Sequence, residues 1–191
     1  MFINFLTYIF FYLLIISSLM GYGLAITSIS EKFKITNNLG YVGLIGVLFL
    51  IVYAYVSSLF ISHGQIHNSI ILAIGVIFFV KSYFKNSKKK DFIYFFLVFL
   101  ILLIAAFIFK THDDFKYYHF SYSYYLTENP LIFGMGNYDL GYRTPSSIFY
   151  LNSLFYLPFV KYFMFHMPAI LIMGFSNLIL IINLKKNLEN S

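Results

Sequence analysis

The chain has 191 residues, of which 60% are hydrophobic, 23% aromatic and 10% charged, and its mean hydropathy is +0.80. Soluble domains carry about 25% charged residues, so this composition excludes that class and points to an integral membrane protein. The formal net charge of +6 comes from lysines gathered beside apolar stretches and not along a basic groove, which argues against nucleic acid as a partner; the lack of cysteine excludes disulfides, thiolate zinc sites and thiol catalysis.

A membrane-crossing helix needs about 20 largely apolar residues. The N-terminus lacks a basic segment and its apolar run, which continues to Ile29, outlasts the core of a signal peptide, so Phe5–Thr27 reads as a retained span. Gly40–Ile61, Ile66–Phe84 and Phe92–Phe109 are three further spans. Ile148–Leu184 is long enough for two helices but is interrupted by Pro158, Lys161, His166 and Pro168. The connection Lys81–Asp91 holds Lys81, Lys85, Lys88, Lys89 and Lys90 against one acid, and basic loops stay cytoplasmic. Alternation then places the N-terminus, the His63–His67 turn and residues 110–147 outside. A full span over Ile148–Phe165 would carry Lys185 and Lys186 outside, against the same rule. Ser146–Phe165 is therefore expected as an interfacial or re-entrant helix and Pro168–Leu184 as the fifth span, with six spans as the alternative.

The expected fold is all-α: a polytopic helical membrane protein with interfacial amphipathic helices, one membrane domain over 1–191. With tryptophan absent, tyrosines supply the interfacial belts. Gly21, Gly23, Gly40, Gly43 and Gly46 are expected to admit close helix packing, and Asn177 to make an interhelical hydrogen bond. His63 and His67 are expected to satisfy their turn or reach the polar segment that follows the fourth span.

That segment, 110–147, is where chemistry is expected, because ionisable groups are costly beside a bilayer. Helical spacing over Thr111–Leu126 puts Phe115, Tyr118, Tyr122 and Tyr125 on one face and His112, Lys116, His119 and Ser123 on another, an amphipathic surface helix. Asp113 and Asp114 either cap and solvate its start or act as general base, one deprotonating an acceptor hydroxyl while the other orients it. His112 and His119 either bond at the interface or join these acids around a divalent cation, the one cofactor the donor set suggests. Glu128-Asn129-Pro130 ends the helix. Gly134-Met135-Gly136-Asn137 forms a loop that matches a phosphate-binding loop poorly. Arg143, the single arginine, either grips a phosphate through its planar fork or anchors to headgroups or Asp139. Thr144 is expected to cap the next helix with Pro145 at its first position.

The run His112-Asp113-Asp114-Phe115-Lys116-Tyr117-Tyr118-His119 after an apolar span, followed by Gly134-Met135-Gly136-Asn137, Arg143 and Ser146-Ser147, resembles the N-terminal portion of uncharacterised bacterial polytopic proteins related to the GT-C glycosyltransferases. The resemblance implies transfer of a sugar from a polyprenyl-phosphate carrier at the outer face of the bacterial inner membrane. It assigns Asp113 or Asp114 as base or metal ligand and sets Arg143 and Lys116 near the carrier phosphate. GT-C proteins have about twice as many spans, so a further C-terminal half or a membrane partner is expected besides the bilayer. The alternative expectation is a non-catalytic membrane subunit or a remnant of such an enzyme.

Overall fold

The computed structural model describes residues 4–29, 38–85, 89–108, 114–138 and 140–190. Among them the regular structure is helical: α1 (Phe5–Ile29), α2 (Leu39–Ser58), α3 (Gln65–Lys85), α4 (Lys89–Ala106), α5 (Phe120–Glu128), α6 (Ser147–Leu154) and α7 (Met167–Asn190), with short π and 3-10 turns between α4 and α7. Four stretches, α1, α2, Gln65–Phe84 and Tyr162–Glu189, are long and apolar enough to cross a membrane; Asp91–Ala106 is a shorter apolar helix. The chain divides into two compact units, Met1–Tyr12 with Leu50–Ile71 and Phe109–Pro168, and Leu13–Phe49 with Leu72–Ile108 and Ala169–Ser191.

The second unit is built from helix bodies. Without a hydrophobic drive between helices in lipid, close backbone approach supplies the packing, and small residues allow it. A side-chain carbon on Gly46 would run into the Leu19 carbonyl, one on Gly23 into the Val42 carbonyl and one on Gly21 into the Gly75 carbonyl. Gly40 and Gly43 likewise face Ile179 and Phe175 of α7, so all five glycines expected at helix contacts lie at them. Around this seam Phe79, Phe95, Phe99 and Phe175 meet largely edge to face, as at 5.0 Å between Phe99 and Phe175. Asn38 caps α2, its Oδ1 accepting from Gly40 N at 2.9 Å. Its Nδ2 donates to Ile179 O at 3.2 Å and Asn183 Oδ1 at 3.1 Å. The interhelical amide bond expected of Asn177 thus falls on Asn183. Lys185 pairs with Asp91 at 3.6 Å and lies 5.1 Å over the Tyr94 ring, joining the end of α7 to the start of α4.

The first unit gathers the end of α2, the start of α3 and the segment leading to α7. α2 stops at Ser58, short of Ile61, and Ser57 and Ser58 donate back to the Tyr53 and Tyr55 carbonyls at 2.8 and 2.9 Å. The amphipathic helix expected over Thr111–Leu126 differs in phase: a π-helical turn at Phe115–His119 precedes α5. One extra residue in that turn rotates everything downstream. Tyr122, Ser123, Leu126 and Thr127 form the buried face, so Ser123, expected toward water, is fully enclosed. The helix ends as Pro130 requires, with Asn129 extended.

Ser146, and not Thr144, caps α6, its Oγ accepting from Ile148 N at 3.3 Å. The single interfacial or re-entrant helix expected over Ser146–Phe165 is helical only from Ser147 to Leu154, with a 3-10 turn at Tyr162–Met164. Between them Pro158 has no N–H to continue a ladder. Phe159 and Lys161 take positive φ of 64° and 45°, and Lys161 N closes onto Leu157 O at 2.7 Å. Positive φ at residues other than glycine carries a cost that surrounding packing must offset.

Replacing Gly46 with valine should lower stability by about 1–3 kcal/mol through overpacking. Gly64→Ala, where nothing lies within 4 Å of the added carbon, should change it by under about 0.5 kcal/mol. Unfolding of both variants in one detergent checks the pair, and equal loss would contradict the close-approach account.

A tyrosine-walled pocket and the polar knot behind it

Buried polar groups near a bilayer need partners within the protein, since unmet ones cost free energy. In the first unit Asn68 and His63 meet that demand for three segments at once. Asn68 is fully buried, and its Nδ2 lies 2.7, 2.8 and 2.9 Å from the carbonyls of His63, Ser153 and Tyr156, which share its two N–H groups. Its Oδ1 lies 3.0 Å from His67 Nδ1, and His67 Nε2 lies 2.7 Å from Tyr53 OH. An amide oxygen only accepts, so His67 Nδ1 donates to it, and Nε2 is left to accept a hydrogen bond from the Tyr53 hydroxyl.

His63 is also fully buried, with Nε2 2.8 Å from Ser57 Oγ and Nδ1 2.6 Å from Ser153 Oγ. Its backbone N–H donates to Leu126 O at 2.8 Å, fixing the end of α5. Burial, with His67 beside it, lowers its pKa from 6.5 to about 3, so the ring is neutral. A neutral imidazole donates once and accepts once. One serine therefore turns its hydroxyl to the ring while the other keeps its own helix carbonyl, Tyr53 for Ser57 or Tyr150 for Ser153.

In front of this knot lies a pocket of about 470 Å³ walled by Tyr122, Tyr142, Tyr150 and the segment Leu131–Asn137, with Arg143 and Pro145 at its side. Each wall has a local cause. Leu131 N donates to Ser58 O at 2.7 Å, so the segment starts from the end of α2. Gly134 takes φ +89°, which favours glycine, and turns the chain so that Asn137 N reaches Gly134 O at 2.9 Å. Gly136 lets the Arg143 side chain lie against the backbone, and Arg143 Nε donates to Gly136 O at 3.1 Å. Tyr122 and Tyr150 join hydroxyls at 2.8 Å, and Tyr150 stacks on Tyr55 at 3.8 Å. Burial and that hydroxyl pair push the Tyr122 phenol well above its ordinary pKa, so it stays protonated. Tyr122 and Tyr150 are almost fully buried, so the open part of the pocket is the half-buried Tyr142 beside the exposed Arg143, whose guanidinium suits an anion.

Of the six residues singled out from sequence, four lie among the described residues, and of these Arg143 alone lines the pocket. Asp113 and His112 lie outside the described residues, as does Asp139, Arg143's expected partner. Asp114 precedes the π turn, half-buried, and makes no side-chain cap to it. Lys116 is exposed. The His119 ring packs on Phe149 at 4.8 Å and edge-on to Tyr118 at 4.4 Å. Among the described residues no three His, Asp or Glu side chains come together to hold a metal, and two of the expected ligands, His112 and Asp113, lie outside them. His63 does reach the polar segment, through its backbone bond to the Leu126 carbonyl, and does so as a buried brace. Asn68, Ser153 and Tyr150 were not marked by the sequence, and Tyr122 only as part of an aromatic helix face; an asparagine one residue after a histidine at a helix start was the available signal for the first.

Among the described residues these features define an all-α architecture with four helices suited to cross a membrane and a polar, tyrosine-rich segment between α4 and α7. The chain belongs to the family described as Domain of unknown function (DUF8201), whose model matches residues 4–191. No curated protein and no solved structure matches it.

Because the folded state keeps His63 neutral to about pH 3 while the unfolded ring protonates near 6.5, the unfolded state binds more protons in that window. Stability should therefore fall as pH drops below about 6.5 and level off near 3. His63→Ala should cost about 1–3 kcal/mol at neutral pH, by stranding buried hydroxyls, and should flatten that pH dependence. Unfolding midpoints across the range check both, and an unchanged slope in the variant would contradict the neutral brace.

Proposed function

We propose that this chain is a GT-C-like glycosyltransferase, or the N-terminal part of one, which takes its sugar from a polyprenyl-phosphate carrier at the outer face of the bacterial inner membrane. The observation that carries the reading is Arg143 set in a tyrosine-walled pocket of about 470 Å³, large enough for a sugar with its phosphate. Aromatic faces suit the apolar side of a sugar ring, and the guanidinium suits the phosphate oxygens. Lys116, exposed on the π turn, adds a second cation for the carrier.

In the reaction a carboxylate, Asp113 or Asp114, takes the proton of an acceptor hydroxyl. That oxygen bonds to the sugar's anomeric carbon, whose bond to the phosphate oxygen breaks, and polyprenyl phosphate leaves with the electron pair. No step is assigned to a cation. Five spans are part of the same reading: the Lys185–Asp91 pair supports a common end for the start of α4 and the end of α7. With the Lys81–Asp91 loop cytoplasmic, that leaves 110–147 outside.

Sealed right-side-out vesicles given a radiolabelled polyprenyl-phosphate sugar and external acceptor test the activity and the sidedness together. Transfer should occur, and Asp113→Asn with Asp114→Asn should abolish it while leaving membrane insertion intact. Arg143→Ala should weaken donor binding about 10- to 100-fold, the loss of a charged hydrogen bond, with Arg143→Lys recovering only part. Full transfer by the doubly substituted chain would overturn the base assignment; absence of transfer by the native chain would favour a non-catalytic membrane subunit.

A further inference from the structure

The pocket's floor segment leaves two large apolar side chains uncovered. Ile132 is 57% exposed and Phe133 86%, directly after Leu131 is tied to the last residue of α2 by its bond to Ser58 O. The turn that follows α2 is equally apolar and open, with Leu59, Phe60 and Ile61 at 43%, 74% and 44%. Ile66, at the start of α3, is also bare. These residues belong to one compact unit, and the hydrogen bond sets the two stretches side by side. Water does not favour such a cluster, which on soluble proteins marks a contact surface.

We infer that Ile132 and Phe133 insert into the bilayer interface, extending the lipid-facing surface of α2's end and bringing the floor of the Arg143 pocket to headgroup depth. The occupant is the lipid surface because the patch grows directly out of a helix long and apolar enough to cross it. Its chemistry agrees: aliphatic and phenyl groups occupy the acyl boundary, while the Arg143 guanidinium beside them suits lipid phosphates. Local order agrees too, since Gly134 turns the chain back immediately after Phe133, leaving a short two-residue tip. This inference is independent of the glycan-transfer reading and needs only a membrane.

The chain contains no tryptophan, so Phe133→Trp creates a single reporter in the full-length protein. In vesicles of phosphatidylcholine and phosphatidylglycerol its emission should lie to the blue of free indole. It should be quenched several-fold more by lipids brominated near the headgroup end of the acyl chain than by aqueous acrylamide. Ile132→Trp provides the same reading should the first variant fold poorly. Red-shifted emission with full acrylamide quenching would overturn the insertion by placing the tip in water. Blue emission indifferent to brominated lipid would overturn it equally, by showing a second copy or another protein over the patch.

Discussion

The side chain of Asn68 is the constraint on which the first unit depends. Helix ends leave carbonyls without intrahelical partners, and beside a bilayer water is a poor substitute. The two N–H groups of one amide are shared among the carbonyls of His63, Ser153 and Tyr156, and its oxygen accepts from His67 Nδ1. His63 extends the knot sideways to Ser57, Ser153 and the end of α5. Buried networks of this kind are valuable only when nearly complete, because each orphaned member carries its full desolvation cost.

From that knot the pocket follows as a series of consequences. α6 is fixed by Ser153, so Tyr150 stands where it can stack on Tyr55 and share a hydrogen bond with Tyr122. α5 is fixed by Leu126, and its buried face carries Tyr122 inward together with Ser123. The Leu131 bond to Ser58 starts the floor, and glycines at 134 and 136 fold it against Arg143. The second unit relies on a different device, with glycines that press backbone onto backbone and an ion pair joining α4 to α7.

Legibility in the sequence follows the same division. Long apolar runs announce their helices, and the glycines of α1 and α2 reveal their contacts because nothing else explains small residues in such runs. Arg143 stands out as the only arginine, whereas Tyr122 and Tyr150 are hidden among 18 tyrosines. The π turn leaves no compositional mark, so the regular spacing that assigned Ser123 to water carried the wrong phase from Phe120 onward. Two cap-competent residues flank Pro145, and only the extended backbone of Ser146, at ψ 144°, decides between them. The break after Leu154 was signalled by Pro158, but the left-handed residues that complete it, Phe159 and Lys161, are of types that rarely adopt such φ. Asn68 and Ser153 meet only through the fold, 85 positions apart.

Hydrogen exchange in Asn68→Leu, a change that keeps the branching of the side chain and removes the amide, tests the central claim most directly. The account predicts faster exchange across Leu126–Arg143, including the Leu131 amide that bonds to Ser58, with the helices of the second unit unaltered. Native protection over that segment in the variant would contradict it, and the pocket would then have to be held by its tyrosines alone.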